Sequence, residues 1–183
     1  MKLFGKDLDK DIVIIAEIGV NHEGSIESAM NLIMLAHESG ADAVKFQSYT
    51  PKRFIASDDK ERMKRVKSFY LNESDHLKLI SHANNIGIPF FSTAVTEDWI
   101  PFLKNNTEAI KIASGDITFE ATIRLAAKTG KPVILSTGGA NIQEIRKAID
   151  WFKDSSENKE IKDKLIIMHC VSAYPTPLEN ANL

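Results

Sequence analysis

The apolar and polar positions of this chain repeat in one pattern: a short apolar run ends in polar residues, and a stretch with helical spacing follows. In the helical stretches the apolar residues lie three and four positions apart, as Ile26, Met30 and Ile33 do after a capping Ser25. Strands that alternate with helices in this way are typical of parallel βα units. Six apolar runs are predicted to be strands: residues 12–19, 43–47, 88–93, 109–112, 132–136 and 165–170.

Capping residues predict where several of the helices begin and end. The first helix stops at Gly40, and the next runs from Asn72 to Gly87. The remaining helices are a short one that begins at Thr96 or Asp98, one capped by Thr118 that ends at Gly130, and one that begins with an Asn141–Glu144 capping box and runs through Phe152. Residues 48–72, which include a charge-dense run, are predicted to be a functional lid or a surface excursion.

The strand ends favour a barrel over an open sheet. No glycine-rich dinucleotide fingerprint follows the first strand, and polar residues follow all six strands. A (β/α)₈ barrel brings every such end to one mouth, whereas a doubly wound open sheet uses only its switch point. A barrel of this type takes about 250 residues. The predicted fold class is therefore α/β, a TIM-type (β/α)₈ barrel of which this chain carries about six βα units.

Composition excludes several classes of partner. The 183 residues are 43% hydrophobic with a formal net charge of -2, which fits one globular domain without the basic stripe that nucleic acids require. The single cysteine, Cys170, indicates a reducing compartment and is predicted to be a small buried residue. The chain shows no signal peptide and no apolar run long enough to cross a membrane. We therefore expect a cytoplasmic protein with neither a nucleic acid nor a membrane partner.

The polar residues at the strand ends predict an anion site. Ammonium groups, hydroxyls and glycine amides hold phosphate and carboxylate groups, so the ligand is expected to be small and doubly anionic. A structural ion pair with Glu17 or Asp116 is the alternative explanation for each lysine. The two carboxylates could hold sugar hydroxyls, transfer protons or only neutralise a lysine. The predicted anion-binding residues are Lys45, Thr93, Lys111, Ser114, Ser136, Gly138 and Gly139.

The two histidines at strand ends do not predict a metal site. His22 and His169 each stand alone, without a second ligand at a suitable spacing. A single loop histidine is more often a hydrogen-bonding group than a metal ligand. No metal-ligating residue is therefore assigned within this chain.

Five segments, in order, resemble the sialic acid synthases, which include N-acetylneuraminate synthase and its legionaminic, pseudaminic and spore-coat polysaccharide relatives. Together they extend over nearly the whole chain. Asp116 and Ser172 depart from residues found in some members, which points to one of the relatives that use other sugars. The segments are AEIGVNHEG (16–24), ADAVKFQ (41–47), KIASGD (111–116), GKPVILSTG (130–138) and HCVSAYPTP (169–177).

The resemblance implies a fold, a reaction and a set of site residues. Members condense phosphoenolpyruvate with an N-acetylated amino sugar, such as N-acetylmannosamine or a 6-deoxy diamino sugar, to a nine-carbon 2-keto acid. Phosphate is released, and a divalent metal, Mn or Mg, activates the sugar aldehyde. By resemblance the residues are Lys111, Thr93, Ser136 and Ser114 around the phosphate, Lys45 and Ser172 near the carboxylate, Gln47, Asp116 and Tyr174 facing the sugar, and Glu17 in the surrounding polar shell.

The resemblance also implies parts that this chain lacks. Full-length members add two barrel strands whose histidines bind the metal, and an antifreeze-like domain that contributes an arginine to the partner subunit of a homodimer. Residues 1–183 are thus expected to form the N-terminal part of one barrel domain and to be inactive alone. Two alternatives stay open: a Schiff-base aldolase that uses Lys45 or Lys111, and a non-catalytic module that binds a sugar or an anion.

Overall fold

A computed structural model describes residues 1–157, 159 and 161–182 of the chain. The strands are β1 (Lys2–Leu3), β2 (Lys6–Asp7), β3 (Ile15–Gly19), β4 (Ala43–Ser48), β5 (Phe90–Ala94), β6 (Ile110–Ile112), β7 (Val133–Ser136) and β8 (Leu165–Met168). The α-helices are α1 (Ile26–Glu38), α2 (Pro51–Phe54), α3 (Lys60–Ser68), α4 (Glu73–Ile86), α5 (Ile100–Asn106), α6 (Glu120–Ala127) and α7 (Ile142–Ser155).

One parallel sheet joins the six long strands. Its order, β3-β4-β5-β6-β7-β8, follows the chain, so each strand pairs with the strand before it. A doubly wound sheet reverses its order at a switch point, and this sheet does not. The order and the intervening helices confirm the predicted fold class, a partial (β/α)₈ barrel. The alternative, a doubly wound sheet, is wrong.

Several predicted helix ends are confirmed in atomic detail. Ser25 accepts a hydrogen bond from the Ser28 amide at the start of α1. Capping boxes begin α4 at Asn72 and α7 at Asn141. The prediction for Thr118 is wrong, because the residue before α6 is Phe119, which makes no side-chain cap.

Two further predictions are corrected by the structure. The first strand is shorter than residues 12–19 and is not fully buried, because β3 lies at an open edge of the sheet, where Ile12 is 80% exposed. Residues 48–72, predicted to be a functional lid or a surface excursion with no helix assigned, contain α2 and α3. Met63 and Val66 give α3 a narrow apolar face, which the surrounding charged residues conceal in the sequence.

An antiparallel hairpin that the apolar pattern does not predict, β1–β2, precedes the barrel. Phe4 has a left-handed φ of 49° in its turn, and the Phe4 ring packs against Phe91 with 5.0 Å between ring centroids. The hairpin thus covers the inner residues at the beginnings of the strands. This inner apolar cluster comprises Leu3, Phe4, Ala43, Phe91, Ala109 and Ile134, with Ile15 and Ile166 packed against it.

The outer faces of the strands pack against the helices in two further clusters. Val44, Phe46 and Phe90 meet residues of α1 and α4 in one cluster. Ile110, Ile112, Val133 and Leu135 meet α5, α6 and α7 in the other. Among the described residues no helix is both long and apolar enough to cross a membrane.

Candidate active site

The inward-facing side chains change from apolar to polar at one level of the barrel. Because side chains alternate along a strand, a residue two positions after an inner apolar residue also points inward. In five strands that second residue is polar, and in β8 it is Met168. These steps are Ile15 to Glu17, Ala43 to Lys45, Phe91 to Thr93, Ala109 to Lys111 and Ile134 to Ser136.

Lys45 contacts two other side chains of this polar level. Its Nζ donates to Thr93 Oγ1 at 2.6 Å and lies 2.9 Å from Glu17 Oε1. The lysine is buried, whereas the Glu17 side chain is 56% exposed at the edge strand. Burial lowers the pKa of Lys45, and the attraction of Glu17 opposes this shift. The ion pair with Glu17, which would make Lys45 a structural residue, is therefore formed. Lys45 also lies at the expected anion-binding position.

Lys111 has no such counterion. Its buried Nζ donates to the Ile112 carbonyl at 2.6 Å, and among the described residues no carboxylate oxygen lies within 4.0 Å of it. Burial, followed by repulsion from Lys45, lowers the pKa of the Lys111 ammonium to about 8. Two buried lysines that repel one another form a site that a dianion would stabilise.

Asp116 lies in a short 3₁₀ turn, Ser114–Asp116, directly after β6. The residue is half-buried, and burial raises the pKa of its carboxyl group while the positive charge of Lys111 opposes the rise. Its carboxylate forms no ion pair with Lys111 in the structure, so the alternative explanation for Lys111, a structural ion pair with Asp116, is not supported. A carboxyl group with a raised pKa at the barrel mouth is suited to proton transfer.

The loops after β6, β7 and β8 converge on Gly138. Its amide donates to Ser114 Oγ at 3.0 Å. A Cβ added to Gly138 would lie 3.0 Å from both Ser114 Oγ and Ser172 Oγ, and one added to Gly139 would lie 3.2 Å from Ser172 Oγ. The structure therefore brings the two predicted serines together around a glycine that leaves room for them.

The residues expected to face the sugar are placed differently from one another. Gln47 Nε2 and Glu17 Oε1 both border Gly19, at 3.7 and 3.4 Å from where its Cβ would lie. Tyr174 is 100% exposed and is not packed against the cluster of lysines. The sugar-facing role of Tyr174 remains a prediction.

The histidines and the cysteine have ordinary structural environments. His22 Nδ1 accepts the Gly24 amide at 3.0 Å, and His169 Nε2 lies 2.6 Å from the Ala181 carbonyl, which agrees with their expected hydrogen-bonding roles. Cys170 is expected to be buried but is only half-buried, because it follows the last strand at an open edge of the sheet. Within the part of the chain that the structure describes, no three His, Cys, Asp or Glu residues lie close enough to hold a metal ion.

Two polar clusters near the site are not predicted by the strand-end pattern. One joins Ser48, Ser92 and His76 on the outer side of β4 and β5. Its signal in the sequence is a polar residue at a core-facing position of each element. The other ties the loop after β4 to the loop after β5 through Thr50, Arg53, Thr96, Glu97 and Asp98.

Comparison with known proteins gives one family and several relatives. The model of the NeuB family matches residues 32–183. An uncharacterized protein of Methanocaldococcus jannaschii is 46% identical over 171 residues, which are 93% of this chain and 49% of that protein. N,N'-diacetyllegionaminic acid synthase of Legionella pneumophila is 38% identical over 184 residues, covering 93% of this chain and 51% of the enzyme. The chain spans about half the length of these relatives.

Solved structures give the same result at the level of the fold. The crystal structure of the N-acetylneuraminic acid synthetase from Leptospira borgpetersenii in complex with citrate superposes with a TM-score of 0.86 at 34% identity. The match covers 95% of this chain and 59% of the synthetase. The phospho-2-dehydro-3-deoxyheptonate aldolase of Thermotoga maritima matches with a TM-score of 0.64 at 19% identity, a likeness of fold alone.

Proposed function

The chain belongs to the NeuB family, and the proteins similar to it include sialic, legionaminic and pseudaminic acid synthases. From that premise we propose that the complete protein condenses phosphoenolpyruvate with an N-acetylated amino sugar. The bond that forms joins C3 of phosphoenolpyruvate to the sugar aldehyde carbon. Water adds at C2, and cleavage of the C–O bond releases phosphate. The products are a nine-carbon 2-keto sugar acid and inorganic phosphate.

One observation carries this proposal: among the described residues, no carboxylate oxygen lies within 4.0 Å of the buried Lys111 ammonium. A buried charge that lacks a partner is costly in free energy. A structural lysine would be expected to have a carboxylate beside it, as Lys45 has Glu17. A buried ammonium that lacks an ion pair and is repelled by a second lysine, two strands away in the sheet, therefore supports the binding of an anionic substrate. The citrate held by the similar Leptospira synthetase agrees with anion binding in this family.

Each residue at the mouth receives a role under the proposal. Lys111, Thr93, Ser136 and Ser114 hold the phosphate group, and Lys45 and Ser172 hold the carboxylate. Fixed positive charges and hydroxyls then stabilise the phosphate as it leaves. Gln47, Asp116, Tyr174 and Glu17 are assigned to the sugar side, where Asp116 is the candidate proton carrier.

A divalent metal, Mn²⁺ or Mg²⁺, enters the proposal only through the family resemblance. In the bound state it would polarise the sugar aldehyde as a Lewis acid. The described residues of this chain do not bring three potential ligands together, so they do not fit a metal site by themselves. The roles given above rest on the side chains of this chain alone.

Replacement of Lys111 by methionine tests the proposal. We expect Lys111→Met to abolish binding of inorganic phosphate to this chain in calorimetry. We also expect it to leave the melting temperature unchanged or raise it, because a buried unpaired cation is removed. In the complete protein, the same change should abolish the release of phosphate from phosphoenolpyruvate in the presence of the amino sugar.

Lys104→Met, which changes an exposed lysine on α5, is the matched control and should alter neither property. Phosphate binding of Lys111→Met equal to that of the wild type would contradict the anion site. A large fall in melting temperature would instead favour a structural role for Lys111.

The Schiff-base aldolase remains a second candidate because of the same lysine. With a pKa of about 8, about a tenth of the Lys111 side chains are neutral amines at pH 7, and a neutral amine is the nucleophile that this chemistry requires. Borohydride reduction in the presence of pyruvate distinguishes the two functions. A stable adduct on Lys111 would favour the aldolase, and its absence would favour the condensation.

A further inference from the structure

A chain of buried hydrogen bonds lies behind the site, on the outer face of β4 and β5. His76 Nδ1 lies 3.1 Å from the Asn72 carbonyl oxygen, and His76 Nε2 lies 2.9 Å from Ser48 Oγ. Ser48 Oγ lies 2.7 Å from Ser92 Oγ. The side chains of His76, Ser48 and Ser92 are all buried. None of these residues belongs to the polar level inside the barrel.

The contact with the Asn72 carbonyl, together with a neutral ring, sets the direction of the other hydrogen bonds. A carbonyl oxygen can only accept, so Nδ1 of His76 carries the proton and Nε2 is left as an acceptor. Ser48 must then donate its proton to Nε2, and Ser92 must donate to Ser48. Burial lowers the pKa of His76 to about 4, so the ring is neutral at pH 7, as an accepting Nε2 requires.

The chain of bonds holds together β4 and β5, the two strands that carry Lys45 and Thr93 of the anion site. Phe46 pairs with Ser92 and Gln47 pairs with Thr93 in the register of β4 and β5. The Ser48–Ser92 bond therefore crosses between the strands on their outer face. Lys45 and Thr93 make the corresponding bond, at 2.6 Å, on the inner face. Two bonds on opposite faces fix the relative position of the strands at the level of the site.

We propose that His76 is a positioning residue for the anion site and that it acts through Ser48 and Ser92 to hold Lys45 and Thr93 in place. The proposal rests on the function proposed above for that site. His76 belongs to α4, which begins at the Asn72 capping box, so the helix itself sets the position of the ring. The side chain thereby links the outer helical layer to the binding residues inside the barrel.

Nitrogen NMR of the histidine rings tests the geometry directly. Long-range proton–nitrogen correlation on the wild-type chain should show His76 with its proton on Nδ1 and with an unprotonated Nε2 at pH 7. A ring that only fills space has no such fixed tautomer. A proton on Nε2 would overturn the proposed direction of the bonds.

Phosphate binding tests the positioning role. We expect His76→Leu, which removes the acceptor for Ser48, to weaken phosphate binding about tenfold, since small displacements of binding groups are costly. His76→Gln keeps an amide acceptor at that place and should restore most of the affinity. Ser48→Ala, a smaller change, should weaken binding in the same direction if His76→Leu does not fold.

Leu79→Ala is the matched control, because Leu79 is buried in the same helix but takes no part in the hydrogen bonds. This change should lower the melting temperature and leave the phosphate affinity unchanged. If the wild type binds phosphate and His76→Leu and Ser48→Ala bind it equally well, the positioning role is overturned and the anion site stands. If the wild type binds no phosphate, the proposed function itself fails.

Discussion

Lys45 and Lys111 lie at the same site but differ in the groups that surround their ammonium groups. Lys45 has Glu17 and Thr93 as partners, whereas among the described residues the ammonium of Lys111 donates to a backbone carbonyl alone. Burial, followed by repulsion from Lys45, lowers the pKa of Lys111 to about 8, whereas the lowering of the Lys45 pKa by burial is opposed by Glu17. Lys111 is therefore the group through which pH should act on the site.

Sulfate, a dianion whose charge is constant over this range, provides the pH test. Because the anion binds the protonated lysine, we expect sulfate affinity to be nearly constant below pH 7 and to fall as the pH rises through about 8. Binding at pH 8 should also take up protons, because the anion raises the pKa of Lys111. Calorimetry in buffers of different ionisation enthalpy measures both effects.

Lys111→Arg is the control for this titration, since a guanidinium group stays charged throughout. Its sulfate affinity, whatever its value at pH 7, should show no decline between pH 7 and pH 9. A wild-type affinity that is equally flat over this range would show that Lys111 does not titrate at the site.

The level in the barrel at which a single polar residue lies can be predicted from the sequence. Lys45, Thr93 and Lys111 can be placed at one level because each follows an inner apolar residue by two positions. The partner of each residue is not predictable in this way. The Lys45–Glu17 pair depends on the register between β3 and β4, and a pattern within one strand does not contain that register.

At the scale of elements, α2 and α3 cover part of the barrel mouth. Tyr49 donates from its hydroxyl to the Val66 carbonyl at 3.0 Å, and Val20 and Val95 pack in the same cluster as α3. These contacts come from residues that follow β3, β4 and β5. Residues 48–72, predicted to be a functional lid or a surface excursion, thus contain a pair of helices packed on three neighbouring loops.

Gly24 sets how closely α3 approaches the loop after β3. A Cβ there would lie 2.1 Å from the Ser68 carbonyl oxygen, and the backbone φ is +84°. We expect Gly24→Ala to displace the end of α3, lower the free energy of unfolding in urea and speed amide exchange in that helix. Exchange measured residue by residue would detect the displacement.

Gly40 provides the matched comparison, because its φ is +80° but nothing lies within 4 Å of its Cβ position. Gly40→Ala should lower the free energy of unfolding by about 1 kcal/mol, which is the cost of placing alanine in a left-handed conformation. An equal loss of stability in both variants would mean that the close approach to Ser68 adds nothing to the cost of replacing Gly24.

For the whole molecule, we expect the two open edges of the sheet to govern behaviour in solution. Within the described part of the chain, strands β3 and β8 each pair on one side only, and a mainly apolar cavity of about 410 Å³ lies between β3 and α1. Its lining includes Ile14, Leu32 and Leu35. Unpaired strand edges beside apolar surface are sites of association. We therefore expect the 183-residue chain to associate.

Leu35→Lys should reduce this association, because it places a charge in the apolar lining beside β3. Leu77→Lys is a close control, since both leucines are on helices and both are 48% exposed, but Leu77 is not part of that lining. Sedimentation velocity over a range of protein concentrations measures the effect. A wild-type chain that sediments as a monomer at all concentrations would contradict the prediction.

The architecture was predictable because it follows from the order of apolar runs, and it is confirmed for all six strands. The hairpin β1–β2 was not, since two-residue strands produce no periodic signal. Helix α3 was concealed for a different reason: it has one buried residue, Val66, among five exposed basic ones. Short elements held by tertiary packing leave little trace in the local pattern.

The strand order also determines how the sheet can form during synthesis. Every strand after β3 pairs with the strand made just before it, so no pairing has to wait for a strand further along the chain. The sheet can therefore grow strand by strand from its N-terminal edge as the chain is made. Each pairing still closes a long connection, and the longest is the step from β4 to β5, which must close over α2, α3 and α4. We expect that loop closure to be the slowest step as the nascent chain leaves the ribosome.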